Sequence, residues 1–247
     1  MVEVLYWNEA VVLNALAESL IIGGLPKFAG VPKADDLWNE IHHLAVDLDY
    51  LWQNRDEINY NATKKTLEHR YTNNMFLNTD INTYIKRGVT LGNVKAGSGH
   101  NCMFKGVQFN MVINMPLYWL KEYQRYHFTD IISSQSTMHC VTQMDIKEHC
   151  TDKVDPIILD LVGQKVAEFN ALSPADVVAR KEAFEYIVAN LPSDFHLAMG
   201  ITMNYLQALS MVKQREHHKL DDWSKDLVPF LKEELPFFKL FMLGEWN

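Results

Sequence analysis

Apolar residues recur along this chain with two different periods. Val107, Phe109, Met111 and Ile113 alternate with Gln108, Asn110 and Asn114, the two-residue period of a strand with one face buried. A turn at Gly97, Ser98 and Gly99 precedes this strand, and Pro116 ends it. Trp119, Leu120, Tyr123 and His127 then share one helical face, and Pro116 suits a first helical position because it has no N–H to leave unpaired. Residues Ile131 to Thr137 are rich in hydroxyls and short of helix formers, so they read as a loop whose side chains and backbone N–H groups could hold an anion.

The helical period governs most of the remainder. Asn8 is placed to cap a segment with Val11, Leu13, Leu16 and Leu20 inward, and Asp35 and Asp36 to cap a second with Leu37, Ile41, Leu44 and Leu48 inward. Gly23, Gly24, Pro26, Gly30 and Pro32 mark the break between them, and residues 61–76 and 79–88 read as further, more polar helices. Asp155-Pro156 opens a helix through Ile158, Leu161, Val162, Val166 and Phe169; Ser173-Pro174-Ala175-Asp176 is a capping-box pattern opening another. Leu191-Pro192-Ser193 stops that helix and caps a next one. No repeat or low-complexity linker divides the chain, so the expectation is one α+β domain over 1–247: a helical region at 1–97, a strand-helix-loop segment at 98–139 and a second helical region at 154–247.

Composition narrows the function classes. With 247 residues and 48% hydrophobic content the chain fills one substantial core. A net charge of -8 argues against binding a nucleic-acid polymer, which needs clustered Lys and Arg, but a mononucleotide needs only a few local cations. No apolar run is long enough to span a bilayer and the first residues lack a basic, then apolar, leader, so no membrane partner and a cytoplasmic location are expected. Cys102, Cys140 and Cys150 have no CxxC spacing and fit a reducing compartment. In His139-Cys140 and His149-Cys150 the adjacent side chains diverge by about 100° on a helix, which disfavours chelation of one ion, and no metal site is expected. His42-His43 lack HExxH spacing and read as packed or solvated. Ser134 and Ser136 lack a nucleophile-elbow context, and the aromatics Phe230, Phe237, Phe238, Phe241 and Trp246 read as core or subunit contact.

From Gly99-His100 to Arg125-Tyr126-His127 the chain resembles, without a gap, the flavin-dependent thymidylate synthases. Their pattern is a Gly-His turn, a strand, a proline, a helix ending in Arg-His-Arg and a loop of the type Ser-x-x-x-Ser-x-Arg-Tyr. One extra residue brings Ser133-Ser134-Gln135-Ser136 onto the loop serines. A second gapless stretch runs from Leu191-Pro192 through Asn204 to Arg215, with Trp223 near the family's Gln-Trp. The departures are specific. Of Arg-His-Arg only Arg125 is kept, followed by Tyr126 and His127; the family's Glu-His is Lys105-Gly106, its loop arginine is Met138, a second phosphate arginine is Val188, and the arginine after Asn204 is Leu206.

The resemblance implies a mostly helical fold with a small antiparallel sheet and a homotetramer whose nucleotide sites are shared between subunits. It also implies site residues. His100, Arg125, His127 and Asn204 would hold FAD; Arg125, Ser134, Gln135 and Ser136 would hold the nucleotide; Arg215 would be the catalytic group that polarises the uracil ring, where attack on a one-carbon donor builds negative charge. NADPH and methylenetetrahydrofolate would be co-substrates. Two function classes follow: a flavin-dependent methyltransferase-type enzyme acting on a pyrimidine deoxynucleotide, or a non-catalytic nucleotide-binding protein that has lost its flavin ligands. Loss of two phosphate arginines would weaken dUMP binding by about a hundredfold unless replaced, and Lys181, Lys213, His139 and His217 are the candidate replacements. A plainer alternative for Arg125 and Arg215 is capping of helix C-termini.

Overall fold

A computed structural model describes residues 1–22, 33–69, 81–95, 98–127 and 129–246; the 23–32 break, Gly97 and the second half of the 61–76 segment lie outside them. The fold is mostly helical around a four-stranded antiparallel sheet of order β1-β4-β6-β5, with a separate two-stranded hairpin β2-β3. The strands are β1 (Glu3–Trp7), β2 (Ile58–Asn61), β3 (Thr66–His69), β4 (Gln108–Pro116), β5 (Asp130–Ser134) and β6 (His196–Asn204). The helices are α1 (Glu9–Ile22), α2 (Ala34–Gln53), α3 (Ile81–Gly92), α4 (Leu117–Tyr123), α5 (Thr137–Cys140), α6 (Pro156–Ala171), α7 (Val177–Ala189), α8 (Tyr205–Arg215) and α9 (Val228–Glu233), with π-helical turns at Asp222–Leu227 and Lys239–Leu243.

The centre of the sheet is the β4–β6 pair, in register from Gln108↔Asn204 to Pro116↔His196. On its buried face Phe109 opposes Met203, Met111 opposes Ile201, Ile113 opposes Met199 and Met115 opposes Leu197. A slip of one residue would turn all the apolar side chains of one strand to the other face, so this ladder fixes the register. α1 covers the core through Val12, Leu13, Leu16 and Leu20, and α2 adds Leu44, Leu48 and Leu51. Val11 is exposed. Asn8 binds the sheet rather than the helix: its side chain accepts from the Asn110 N–H at 2.8 Å, while its carbonyl accepts from Val11 and Val12. α3 lies so close to the C-terminal π-turn that a Cβ on Gly92 would be 2.0 Å from the Phe241 carbonyl oxygen. Phe237, Phe238 and Phe241 are core residues there.

Three expected helices or loops are strands instead. Residues 58–69 form the β2-β3 hairpin, because the Asn61 side chain accepts from the Thr63 and Lys64 N–H groups and Lys65 takes a positive φ of 50°, which turns the chain back. The segment after Leu191-Pro192 is β6, and the helix follows only at Tyr205. The hydroxyl-rich stretch Asp130–Ser134 is the edge strand β5, paired with β6 across a register shift between Ile131 and Ser133. α4 ends at Tyr123, so His127 lies beyond it. Asp155 caps α6 through Ile157 N–H at 2.9 Å, but α7 is capped by Asp176 rather than by Ser173, and Ile158 and Leu161 of α6 are exposed. Among the described residues no helix is long and apolar enough to cross a membrane.

Two outcomes follow from the packing of β6. A Cβ on Gly200 would meet Ser133 Oγ at 2.6 Å and Ile132 Cγ1 at 3.2 Å, so Gly200→Ala should destabilise the fold by about 1–3 kcal/mol in urea titrations as β5 is pushed off the sheet. His196 is 6% exposed, and burial holds its pKa below the ordinary 6.5 in spite of Asp194 and Asp222 nearby. The unfolded chain accepts a proton there that the folded chain refuses. The stability contributed by the neutral ring is therefore complete above about pH 6.5 and lost as pH falls toward the folded value. Urea midpoints measured from about pH 7.5 down to 5.5 should fall, and His196→Gln should flatten that slope.

Candidate functional site

α8 has two faces. Tyr205, Ala208, Leu209, Met211 and Val212 are buried in the core, while Gln207, Ser210 and Gln214, at i, i+3 and i+7, line a cavity of about 840 Å³. The cavity lies at the Asn204 end of the sheet, where Thr129 leads into β5 and Lys105 precedes β4. Its other walls are Arg125, Tyr126, His127, Leu206 and Arg215. Lys105, Arg125 and Arg215 bring positive charge to this lining in a chain whose net charge is -8; among the described residues no carboxylate lines it, and Glu122 pairs with Arg215 from outside the lining at 2.9 Å. Positive charge concentrated in a concave wall of an acidic protein selects anions.

Arg215 is the last residue of α8, and it does not cap that helix with its side chain. Its Nε donates to the Tyr126 hydroxyl at 2.7 Å and its Nη1 to Glu122 Oε2 at 2.9 Å. The guanidinium lies 4.5 Å from the ring centroid of Trp223, whose Nε1 donates to the same Glu122 oxygen at 2.9 Å. Beneath this layer Trp223 stacks on Trp119 at 4.2 Å, and Trp119 stacks on Tyr123 at 5.2 Å. A cation–π contact and two directed hydrogen bonds fix a guanidinium more tightly than a charge pair alone.

The structure brings four of the expected site residues to one cavity: Arg125, His127, Asn204 and Arg215. Asn204 also has a structural duty, since its Oδ1 accepts from the Leu206 and Gln207 N–H groups and the Gln207 side chain accepts from the Asn204 N–H, a complete capping box. His100 is exposed in the 98–101 turn and does not line the cavity. Ser134, Gln135 and Ser136 do not line it either. They lie at the far end of β5, where the Gln135 side chain accepts from the Ala198 N–H and the Gln135 N–H donates to the Ala198 carbonyl, so the expected anion-holding loop is in this chain the end of an edge strand. None of Lys181, Lys213, His139 or His217 lines the cavity. Lys105 does, and the sequence pattern gave no hint of it, although it stands where the resembling family has Glu-His. Gln207, Ser210 and Gln214 are further wall residues that sequence reasoning missed, and their i, i+3, i+7 spacing after Asn204 was the available signal.

Elsewhere His149 is stacked on Phe195 and its Nδ1 lies 2.9 Å from the His196 carbonyl, while burial raises the Cys150 thiol to about 11, which leaves it a poor nucleophile.

No protein-family model and no curated protein sequence matches the chain. Solved structures do. The flavin-dependent thymidylate synthase ThyX of Helicobacter pylori, crystallised with FAD and dUMP, aligns with a TM-score of 0.50 over 98% of this chain and 97% of its own, at 8% identity. A UMP/dUMP methylase, PolB of Streptomyces cacaoi, bound with 5-Br dUMP, aligns with a TM-score of 0.38 over 89% of this chain and 79% of its own, at 10% identity. At 8% identity the first of these likenesses establishes the fold, which is a divergent form of the flavin-dependent thymidylate synthase fold.

Proposed function

We propose that the chain binds a pyrimidine nucleotide in the cavity between α8 and the segment that follows α4, and that the complete pocket is shared between subunits of a homotetramer. The observation that carries this reading is the cationic lining: two segments about ninety residues apart bring Arg125 and Arg215 to one wall with Lys105, while Glu122, the carboxylate paired with Arg215, stands outside the described lining. In this reading Arg125 and Lys105 attract the phosphate and Arg215 faces the base.

The position of β5 supports the reading of a shared pocket. Ser134 pairs with Met199, five residues before Asn204, which at about 3.3 Å per residue is roughly 16 Å from the cavity. A mononucleotide held by Arg215 cannot also reach Ser134 and Ser136 of the same chain. A second copy could supply them. Exposed Ile157, Ile158, Leu161, Val177 and Val178 on α6 and α7 are apolar surface for such contacts.

Two chemistries fit this pocket to different degrees. In the first the protein is a flavin-dependent one-carbon transferase: Arg125, His127 and Asn204 hold FAD, His100 joins them from a neighbouring copy, and the fixed guanidinium of Arg215 stabilises negative charge developing on the base. A bound flavin would supply the reducing chemistry, with NADPH and methylenetetrahydrofolate as co-substrates. In the second the protein captures or senses a nucleotide without turnover. Specific observations favour the second: Leu206 presents an apolar side chain to the cavity, the Asn204 side-chain carbonyl is engaged in the helix cap, and His100 is outside.

Titration calorimetry of the full chain with dUMP should give saturable binding. Arg215→Lys, which keeps the charge but loses the planar fork that bonds Tyr126 and Glu122 from fixed directions, should weaken it by about tenfold to a hundredfold with little change in melting temperature. Absence of saturable binding would remove the nucleotide reading, and flavin absorbance in the purified protein would favour the enzyme over the sensor. Light scattering should give a mass several times the 28.6 kDa chain, and a monomer would contradict the shared pocket.

A further inference from the structure

We propose that Glu122 is a positioning residue for Arg215, a proposal that rests on the nucleotide reading above and adds to it how the base-facing guanidinium is aimed. Glu122 stands on the last turn of α4 and is not among the residues of the cavity wall. One of its oxygens, Oε2, accepts from Arg215 Nη1 and from Trp223 Nε1, each at 2.9 Å, and lies 3.6 Å from His218 Nε2. Arg–carboxylate pairs frequently join fork to fork, with both oxygens engaged. Here the fork is divided between two partners, Nη1 to Glu122 and Nε to the Tyr126 hydroxyl, and its carbon lies over the Trp223 ring at 4.5 Å.

That division decides what Arg215 offers a ligand. With Nε and Nη1 engaged, Nη2 is the nitrogen that remains, on a residue that lines the cavity and keeps 15% of its side chain exposed. Of its five N–H hydrogens three remain, both on Nη2 and the second on Nη1, so Arg215 keeps a fixed set of donors for an acceptor on the ligand, such as a base carbonyl.

Positioning and simple electrostatics predict opposite signs. Removing the Glu122 carboxylate makes the cavity more positive, which alone would tighten binding of an anion. If Glu122 aims Arg215, its removal frees the guanidinium and weakens binding despite the added charge. The test is dUMP calorimetry on wild type, Glu122→Ala and Glu122→Gln, beside phenylglyoxal modification of arginines read by peptide mass spectrometry, with Arg125 as internal control. Glu122→Ala should weaken dUMP binding by about tenfold and let Arg215 react several times faster while Arg125 reacts as before. Glu122→Gln keeps an acceptor oxygen and should stay within about threefold of wild type. Unchanged or tighter binding in Glu122→Ala overturns the proposal, as does weaker binding with an unchanged Arg215 rate. If wild type binds no dUMP, the nucleotide reading fails by itself and the ratio of Arg215 to Arg125 modification still decides the positioning. If Glu122→Ala does not fold, Glu122→Leu, which fills the space but offers no acceptor, serves in its place: it should raise the Arg215 rate alone, and an unaltered ratio overturns the proposal.

Discussion

The β4–β6 ladder is the constraint from which the site follows. Its apolar cross-strand pairs lock the register, and that register sets where α4 and α8 begin: Leu117 N–H bonds to the Phe195 carbonyl at one end, and Tyr205 N–H bonds to the Val107 carbonyl at the other. α4 and the residues after it then carry the chain back to the Asn204 end, because Asp130 must pair with Thr202. Two helices launched from opposite ends of one antiparallel pair thus bring Glu122 and Tyr126 to Arg215. The ion pair is a product of strand register rather than of local sequence.

The same ladder explains what the sequence disclosed and what it concealed. β4 was legible because large apolar residues alternate with Gln108, Asn110 and Asn114. β6 carries an equally regular period, Leu197, Met199, Ile201 and Met203, but the intervening Ala198, Gly200 and Thr202 are small rather than charged, and both faces are largely covered. Alternation of large and small is a weaker signal than alternation of apolar and polar. β5 was concealed for another reason: Ser133 and Ser134 are poor strand formers, held in place by tertiary pairing with β6 across a glycine. The helices with a cap or a long apolar stripe, α1, α2, α3 and α6, were readable in place, although Asp35 and Asp36 lie inside the first turn of α2 after Lys33 and do not cap it. The inward assignment of Ile158 and Leu161 was not, since nothing in the described chain covers them.

At the site, sequence reasoning reached the residues that lie on regular elements or close to their ends, Arg125, His127, Asn204 and Arg215. It could not distinguish a capping arginine from a wall-lining one, because that depends on Glu122 and Tyr126, which are about ninety residues away along the chain. It also joined Ser134, Gln135 and Ser136 to the same pocket, which one copy of the chain cannot do. Lys105 belonged to no periodic pattern.

The buried indole pair beneath Arg215 has an optical consequence. Trp223 is sealed from water, stacked on Trp119 and overlaid by a cation, and its N–H points at a carboxylate. An indole in such a setting has its excited state tuned by the local electric field. Among the six tryptophans, the emission of Trp223 is therefore the one that responds directly to where the guanidinium sits, so the cavity wall carries its own probe without an added label.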